Sequence, residues 1–229
     1  MYLVHHFLLI LSAVKVTNII GSPHAAGNTA AIARMLLSEL RAFGAKVTTF
    51  ELNKLKYRGC QGCWACQRTS DHCVLRDGLS PILEDVRSSD LVIIASPIYF
   101  GDVTSQTKGL IDRFFSYHAS NFRTSPNPSR LAPGKKMVLI LLQGNPEQTA
   151  FDDVVAKYTR IFGHLGFREV HTIRAAGISP GSDMFAHLGF GEACSIRAAR
   201  EGPDSVVRTQ EPLSQLIRDT ASRVMSSLP

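Results

Sequence analysis

Val16-Thr-Asn-Ile-Ile20-Gly21-Ser-Pro-His24-Ala-Ala-Gly27-Asn28-Thr29 reads as a buried strand, a small-residue turn and the start of a helix. The first five residues are mostly apolar or β-branched, the mark of a strand covered on both faces. From Asn28 the period changes. Ala31, Met35, Leu36, Leu40 and Phe43 recur at steps of three and four, and Gly44 ends the helix. Small residues in the turn let the backbone wrap an anion closely. The helix N-terminus adds free N–H groups and the positive end of a dipole. Ser22, Asn28 and Thr29 contribute side-chain donors, with His24 and Gly27 in the same turn. There is no Gly-x-Gly-x-x-Gly fingerprint and no Walker Gly-Lys-Thr. The plain alternative is a βα turn with Asn28 or Thr29 as an ordinary N-cap.

The same alternation continues downstream. Lys46 to Leu52, Asp90 to Ala95, Lys136 to Leu142 and Glu169 to Arg174 read as strands. Leu79 to Val86, Thr104 to Tyr117 and Ala150 to Leu165 read as helices. Strands alternating with helices imply a parallel sheet covered on both faces. Five such strands suit a doubly wound α/β fold of flavodoxin-like order 2-1-3-4-5, with a ligand at the β1/β3 switch point. We expect three parts: an extension over residues 1–14, a sheet domain over 15–176, and a helical arm over 177–229. Within that arm, Phe185 to Arg200 and Pro212 to Leu228 look helical, and the arm is expected to serve oligomerisation.

The third strand runs into Ser96-Pro97-Ile98-Tyr99-Phe100-Gly101, a loop that this topology sets beside the first. Pro97 stiffens it, and Gly101 permits unusual dihedrals. Tyr99 and Phe100 offer flat surfaces to a planar ring. An anion cup next to a ring-sized slot favours a flavin mononucleotide. The alternative is an aromatic loop packed on its own domain.

Four of the five cysteines form the run Cys60-Gln-Gly-Cys63-Trp-Ala-Cys66-x6-Cys73, inside a loop spanning residues 56–77. Four Cys thiolates hold iron–sulfur clusters and also satisfy tetrahedral zinc. No cysteines remain for a second cluster, so Cys73 is the natural fourth ligand. Bare thiols, zinc or a disulfide are the other readings. Lys108 and Asp112 stand at an i,i+4 spacing that suits a structural ion pair.

Bulk composition is that of a soluble, well-cored chain: 229 residues, 45% hydrophobic, net charge +6. No long basic block argues for nucleic acid, whereas anionic cofactors or an acidic redox partner fit. The cysteine spacing is unlike a secreted disulfide scaffold, and we expect the reducing cytoplasm. Leu3 to Val14 is apolar apart from His5, His6 and Ser12. It falls short of the ~20 residues a membrane helix needs, and no membrane association is expected.

With these segments in order, the chain resembles the flavodoxin-like NAD(P)H-dependent FMN reductases, and within them the iron–sulfur flavoproteins. The resemblance rests on Gly21-Ser-Pro-x4-Gly27-Asn28-Thr29, on the four-cysteine run followed by Val74-Leu-Arg-Asp77, and on Ser96-Pro-Ile-Tyr-Phe-Gly101 leading to Lys108-x3-Asp112-Arg113. It implies FMN on the first and third loops, a [4Fe–4S] cluster on the cysteines, and NAD(P)H or a reduced carrier protein as electron donor. It also implies assembly as a homodimer or homotetramer. Two departures stand out: His24 where relatives often carry Arg or Lys, and Gly78 where a second acidic residue commonly follows Asp77. The expected function is an FMN-dependent oxidoreductase that joins hydride donors to one-electron acceptors, with no side chain assigned as acid or base. Its rivals are a non-enzymatic electron carrier, a cluster-less FMN reductase and a zinc-stabilised interaction module.

Overall fold

The structure, a computed structural model, describes residues 13–178, 194–198, 213–226 and 228. In chain order the elements are β1 (Lys15–Ile20), α1 (Asn28–Ala42), β2 (Lys46–Glu51), α2 (Ala65–Arg68), α3 (Ser80–Ser88), β3 (Leu91–Tyr99), β4 (Asp102–Val103), α4 (Ser105–Arg113), β5 (Lys136–Leu142), α5 (Asp152–His164), β6 (Glu169–Ala175), β7 (Cys194–Ala198) and α6 (Leu213–Met225). The sheet order is β2-β1-β3-β5-β6-β7, with the two-residue β4 attached to β3. The first five strands of that order run parallel. Setting β4 aside, this is the doubly wound arrangement the pattern predicts.

Strand alternation decides which face each side chain covers. On one face, Ile20 of β1, Ile93 of β3 and Ile140 of β5 pack under α1 and α6. On the other, Ile19, Val92, Ile94 and Leu139 pack under α3, α4 and α5. The loops at the carboxyl ends of β1, β3 and β5 therefore emerge side by side.

Two expectations for the C-terminal segment are corrected. The spacing predicts helix over 185–200, but Cys194–Ala198 is a strand, antiparallel to β6 with Ala175 opposite Cys194. Five residues of mixed character carry no decisive period, and the open edge of β6 supplies the backbone partners. The second concerns the arm. Leu213, Leu216, Ile217, Ala221 and Val224 of α6 belong to the same core as Leu36 and Leu40 of α1. Helix α6 is thus the last layer of the domain. Residues 179–193, 199–212, 227 and 229 lie outside the described residues, as do residues 1–12 of the expected extension. Val14 already packs in the core, and its carbonyl accepts from Lys46 N–H at 2.8 Å. Among the described residues no helix is long and apolar enough to cross a membrane.

Candidate functional site: a nucleotide cup and a four-thiol cavity

Gly27 is the N-cap of α1, in an extended conformation with φ −75° and ψ 176°, and no side chain caps the helix. The plain alternative, Asn28 or Thr29 as N-cap, does not form. The N–H groups of the first turn thus face outward with no side-chain acceptor, the arrangement that binds anions. They open into a cavity of about 530 Å³ between the ends of β1, β3 and β5. That size lies within the usual range of small-molecule sites, about 300–1,000 Å³. Ser22, His24, Gly27, Asn28, Thr29, Pro97, Ile98 and Tyr99 line it, as the loops suggest. Leu142, Gly144 and Ile178 complete it, and the sequence reading missed them. Gln143-Gly144-Asn145 follows the apolar run of β5 just as Gly21 follows β1, and that strand-end position was the available signal.

Three expected residues do not line the cavity. Ser96 is wholly buried. Its hydroxyl accepts from Thr104 N–H at 3.1 Å and donates to the Pro97 carbonyl at 2.9 Å. Thr104 caps α4 by accepting from Thr107 N–H at 3.2 Å. The Thr104 hydroxyl donates to the Gly21 carbonyl at 2.7 Å, so Thr107 Oγ1, 2.9 Å away, donates back to it. Gly21 N–H in turn donates to the Ala95 carbonyl at 2.8 Å. A Cβ at Gly21 would stand 1.8 Å from Thr107 Oγ1, so only glycine fits here. Ser96 therefore acts through this lock between the two loops and α4.

Phe100 and Gly101 form the turn between β3 and β4. Their φ angles, 49° and 86°, are both positive, as a two-residue type I′ hairpin requires. This turns the Phe100 ring entirely into solvent. The hairpin is anchored by Asp102, which accepts from Lys157 Nζ at 2.7 Å and Tyr158 Oη at 2.8 Å. Burial works to raise the Asp102 carboxyl, but these donors and the Val103 N–H outweigh it and hold the group below its ordinary range.

The second cavity, about 510 Å³, is lined by all four clustered cysteines together with Trp64, Lys108, Arg113 and Phe115. Cys60 and Cys63 are exposed, Cys66 is buried and Cys73 is half-buried; all four are free thiols. Trp64 has a left-handed backbone, φ 59°, that starts α2, and its ring meets Phe115 edge-on at 5.2 Å. Burial pushes the Cys66 thiol up; the Gln67 amide opposes this, and the charges of Cys73, Cys60 and Cys63 add to it.

Among the described residues no three His, Cys, Asp or Glu side chains converge as one bound ion requires. A zinc ion needs four sulfurs about 2.3 Å from a single centre. A four-iron cubane takes one sulfur on each metal atom, so its four ligands need not meet at a single centre. Four cysteines lining one cavity supply the ligand type and number that such a cluster takes. Lys108 and Asp112 form the expected ion pair on the cavity rim. Gly78 also has its reason: a Cβ there would lie 3.0 Å from both the Lys56 carbonyl and Leu55 Cβ, where the loop closes on itself.

The fold agrees with known proteins. The family described as flavodoxin-like fold matches residues 14–188, and the chain belongs to it. It is 36% identical over 104 residues to an iron-sulfur flavoprotein of Archaeoglobus fulgidus, covering 45% of this chain and 47% of that one. It is 31% identical over 134 residues to an FMN-dependent NADH:quinone oxidoreductase of Azospirillum brasilense, covering 56% and 62%. The chain thus spans about half the length of the curated relatives it matches. An NAD(P)H:quinone oxidoreductase of Methanothermobacter marburgensis superposes with a TM-score of 0.64 at 15% identity, over 93% of this chain and 97% of that one. At that identity the superposition speaks for the fold.

Proposed function

We propose that the chain is an FMN-dependent oxidoreductase that couples FMN to a [4Fe–4S] cluster, with NAD(P)H or a reduced carrier protein as donor. The observation that carries this is two cavities on one domain, an anion cup at the start of α1 and a four-thiol cavity, bridged by one helix. Thr104 at the head of α4 is locked to the cup, and Arg113 at its end reaches the thiols. In the cup, the open N–H groups of α1 with Ser22, Asn28 and Thr29 would hold the phosphate. Pro97, Ile98 and Tyr99 would flank the ring and keep water from it. Cys60, Cys63, Cys66 and Cys73 would hold the cluster, with Trp64 and Phe115 as its cover. Bound FMN takes up a hydride and a cluster passes single electrons, so together they join two-electron donors to one-electron acceptors. The names of the relatives, iron-sulfur flavoprotein and FMN-dependent NADH:quinone oxidoreductase, support this pairing. Assembly as a homodimer or homotetramer belongs to the same proposal, since the exposed Trp64 and Phe100 rings are uncovered in one chain.

Anaerobic purification tests it. The expected result is a flavin spectrum, about four iron and four sulfide per monomer, and bleaching of the flavin by NAD(P)H. Replacing any of the four clustered cysteines by Ala should lose iron and keep FMN, and Cys194→Ala should leave iron unchanged. A colourless protein that binds no FMN in titration refutes the central reading. A second reading, a cluster-less FMN reductase, is favoured by the thiols' failure to converge; flavin without iron after reconstitution would establish it.

A further inference from the structure

Among the described residues Arg113 is the largest fully buried side chain, and it stands in the last turn of α4. Each of its three nitrogens donates to the cysteine loop, four hydrogen bonds in all. Nε donates to Cys73 Sγ at 2.9 Å. Nη1 donates to the Arg58 carbonyl at 3.0 Å and to Asp77 Oδ2 at 2.9 Å. Nη2 donates to the Leu75 carbonyl at 3.0 Å. Arg58 precedes the first cysteine, and Leu75 and Asp77 follow the last. One guanidinium therefore ties the loop's entry to its exit. Asp77 completes the tie from the other side by accepting from the Arg58 N–H at 3.2 Å.

We propose that Arg113 is the positioning residue of the cysteine loop: it closes the loop at its base and presents a charged N–H to the Cys73 sulfur. The planar fork matters, because its four bonds reach four points of the loop, which an ammonium on a flexible stem cannot match. The N–H on sulfur has a second consequence, which rests on the cluster reading above. Hydrogen bonds to ligating sulfurs help set a cluster's potential. A donor favours the reduced form, where more negative charge sits on sulfur. Removing it should make the cluster harder to reduce.

The test compares wild type, Arg113→Lys and the double variant Arg113→Met with Asp77→Asn. The double variant removes one charge of each sign, so the shift reads the lost hydrogen bonds rather than net charge. In loaded proteins, potentiometric titration followed by electron paramagnetic resonance should show reduction of the double variant disfavoured by about tenfold, ~59 mV for one electron. Arg113→Lys should fall between. An alternative supporting result is loss of half or more of the iron while FMN binding and cooperative melting persist. Equal iron content and equal potential in all three proteins overturn the proposal. If wild type itself takes up no iron, the cluster reading fails and the positioning role is decided in metal-free protein by hydrogen exchange. Exchange faster by tenfold or more confined to residues 58–77 supports the role, and equal exchange there refutes it. Should the double variant not fold, Arg113→Lys carries both comparisons alone.

Discussion

Gly21→Ala tests the lock between the nucleotide cup and α4. The added methyl would stand 1.8 Å from Thr107 Oγ1 and 3.1 Å from Thr107 Cβ. Thr107 is wholly buried and held by Thr104, so its hydroxyl has no room to swing away. Overpacking of this kind costs about 2 kcal/mol. Thr107→Ala alone removes one buried hydrogen bond, about 1 kcal/mol. It also removes the atom that the new methyl meets at 1.8 Å, leaving the milder 3.1 Å contact. If the two costs were independent, the double variant would lose about 3 kcal/mol; relief of the collision should hold it to about 1.5 kcal/mol. Urea unfolding of the FMN-free protein at neutral pH measures all three changes with a common slope. FMN titration adds a second reading, since displacing Gly21 moves Ser22 in the cup, and the single variant should bind several-fold more weakly. Strictly additive losses would show that Gly21 and Thr107 do not press on each other, and the lock would be refuted.

Thr29→Ala should weaken FMN binding by about tenfold through loss of a donor to a charged group; an unchanged dissociation constant would remove Thr29 from the cup. Phe100→Asn should stabilise the protein by about 1 kcal/mol, because asparagine tolerates the left-handed backbone that phenylalanine resists. FMN affinity should stay within about twofold, since the ring lies outside the cavity lining, and a large loss would restore Phe100 to the cofactor site. Burial works to raise the Asp77 carboxyl, yet Arg113 and the N–H groups of Arg58 and Leu79 hold it below its ordinary range. A lowered folded value means this stabilisation is complete above about pH 3.9, the unfolded value, and fades as pH falls through the folded one. Asp77→Asn should therefore cost about 3 kcal/mol at neutral pH, with the gap to wild type closing in acid; a gap independent of pH would refute the ion pair's role.

The parallel sheet was legible because buried strands write themselves as unbroken apolar runs: Lys136–Leu142 matches its expected span to the residue. Eight of the cup's lining residues were legible for a related reason, since strand ends mark where loops must meet. Strand β7 was hidden because a five-residue edge strand takes its identity from its neighbour. Ser96, Phe100 and Gly101 share the loop with the lining residues, but the hairpin turn sends Phe100 outward and the Thr104 bond draws Ser96 inward, away from the cavity wall. The Arg113 tie spans residues 58 to 113, and no local pattern records a bond of that reach.

Helix α6 rests on α1, the helix whose first turn forms the anion cup. On a ribosome, α1 is made well before the helix that covers it. Until Leu213–Met225 has left the exit tunnel, the inward stripe of α1 stays wet and the cup has no firm floor. Flavin capture should thus wait for that helix, and a message truncated before it should yield a chain that cannot retain the cofactor.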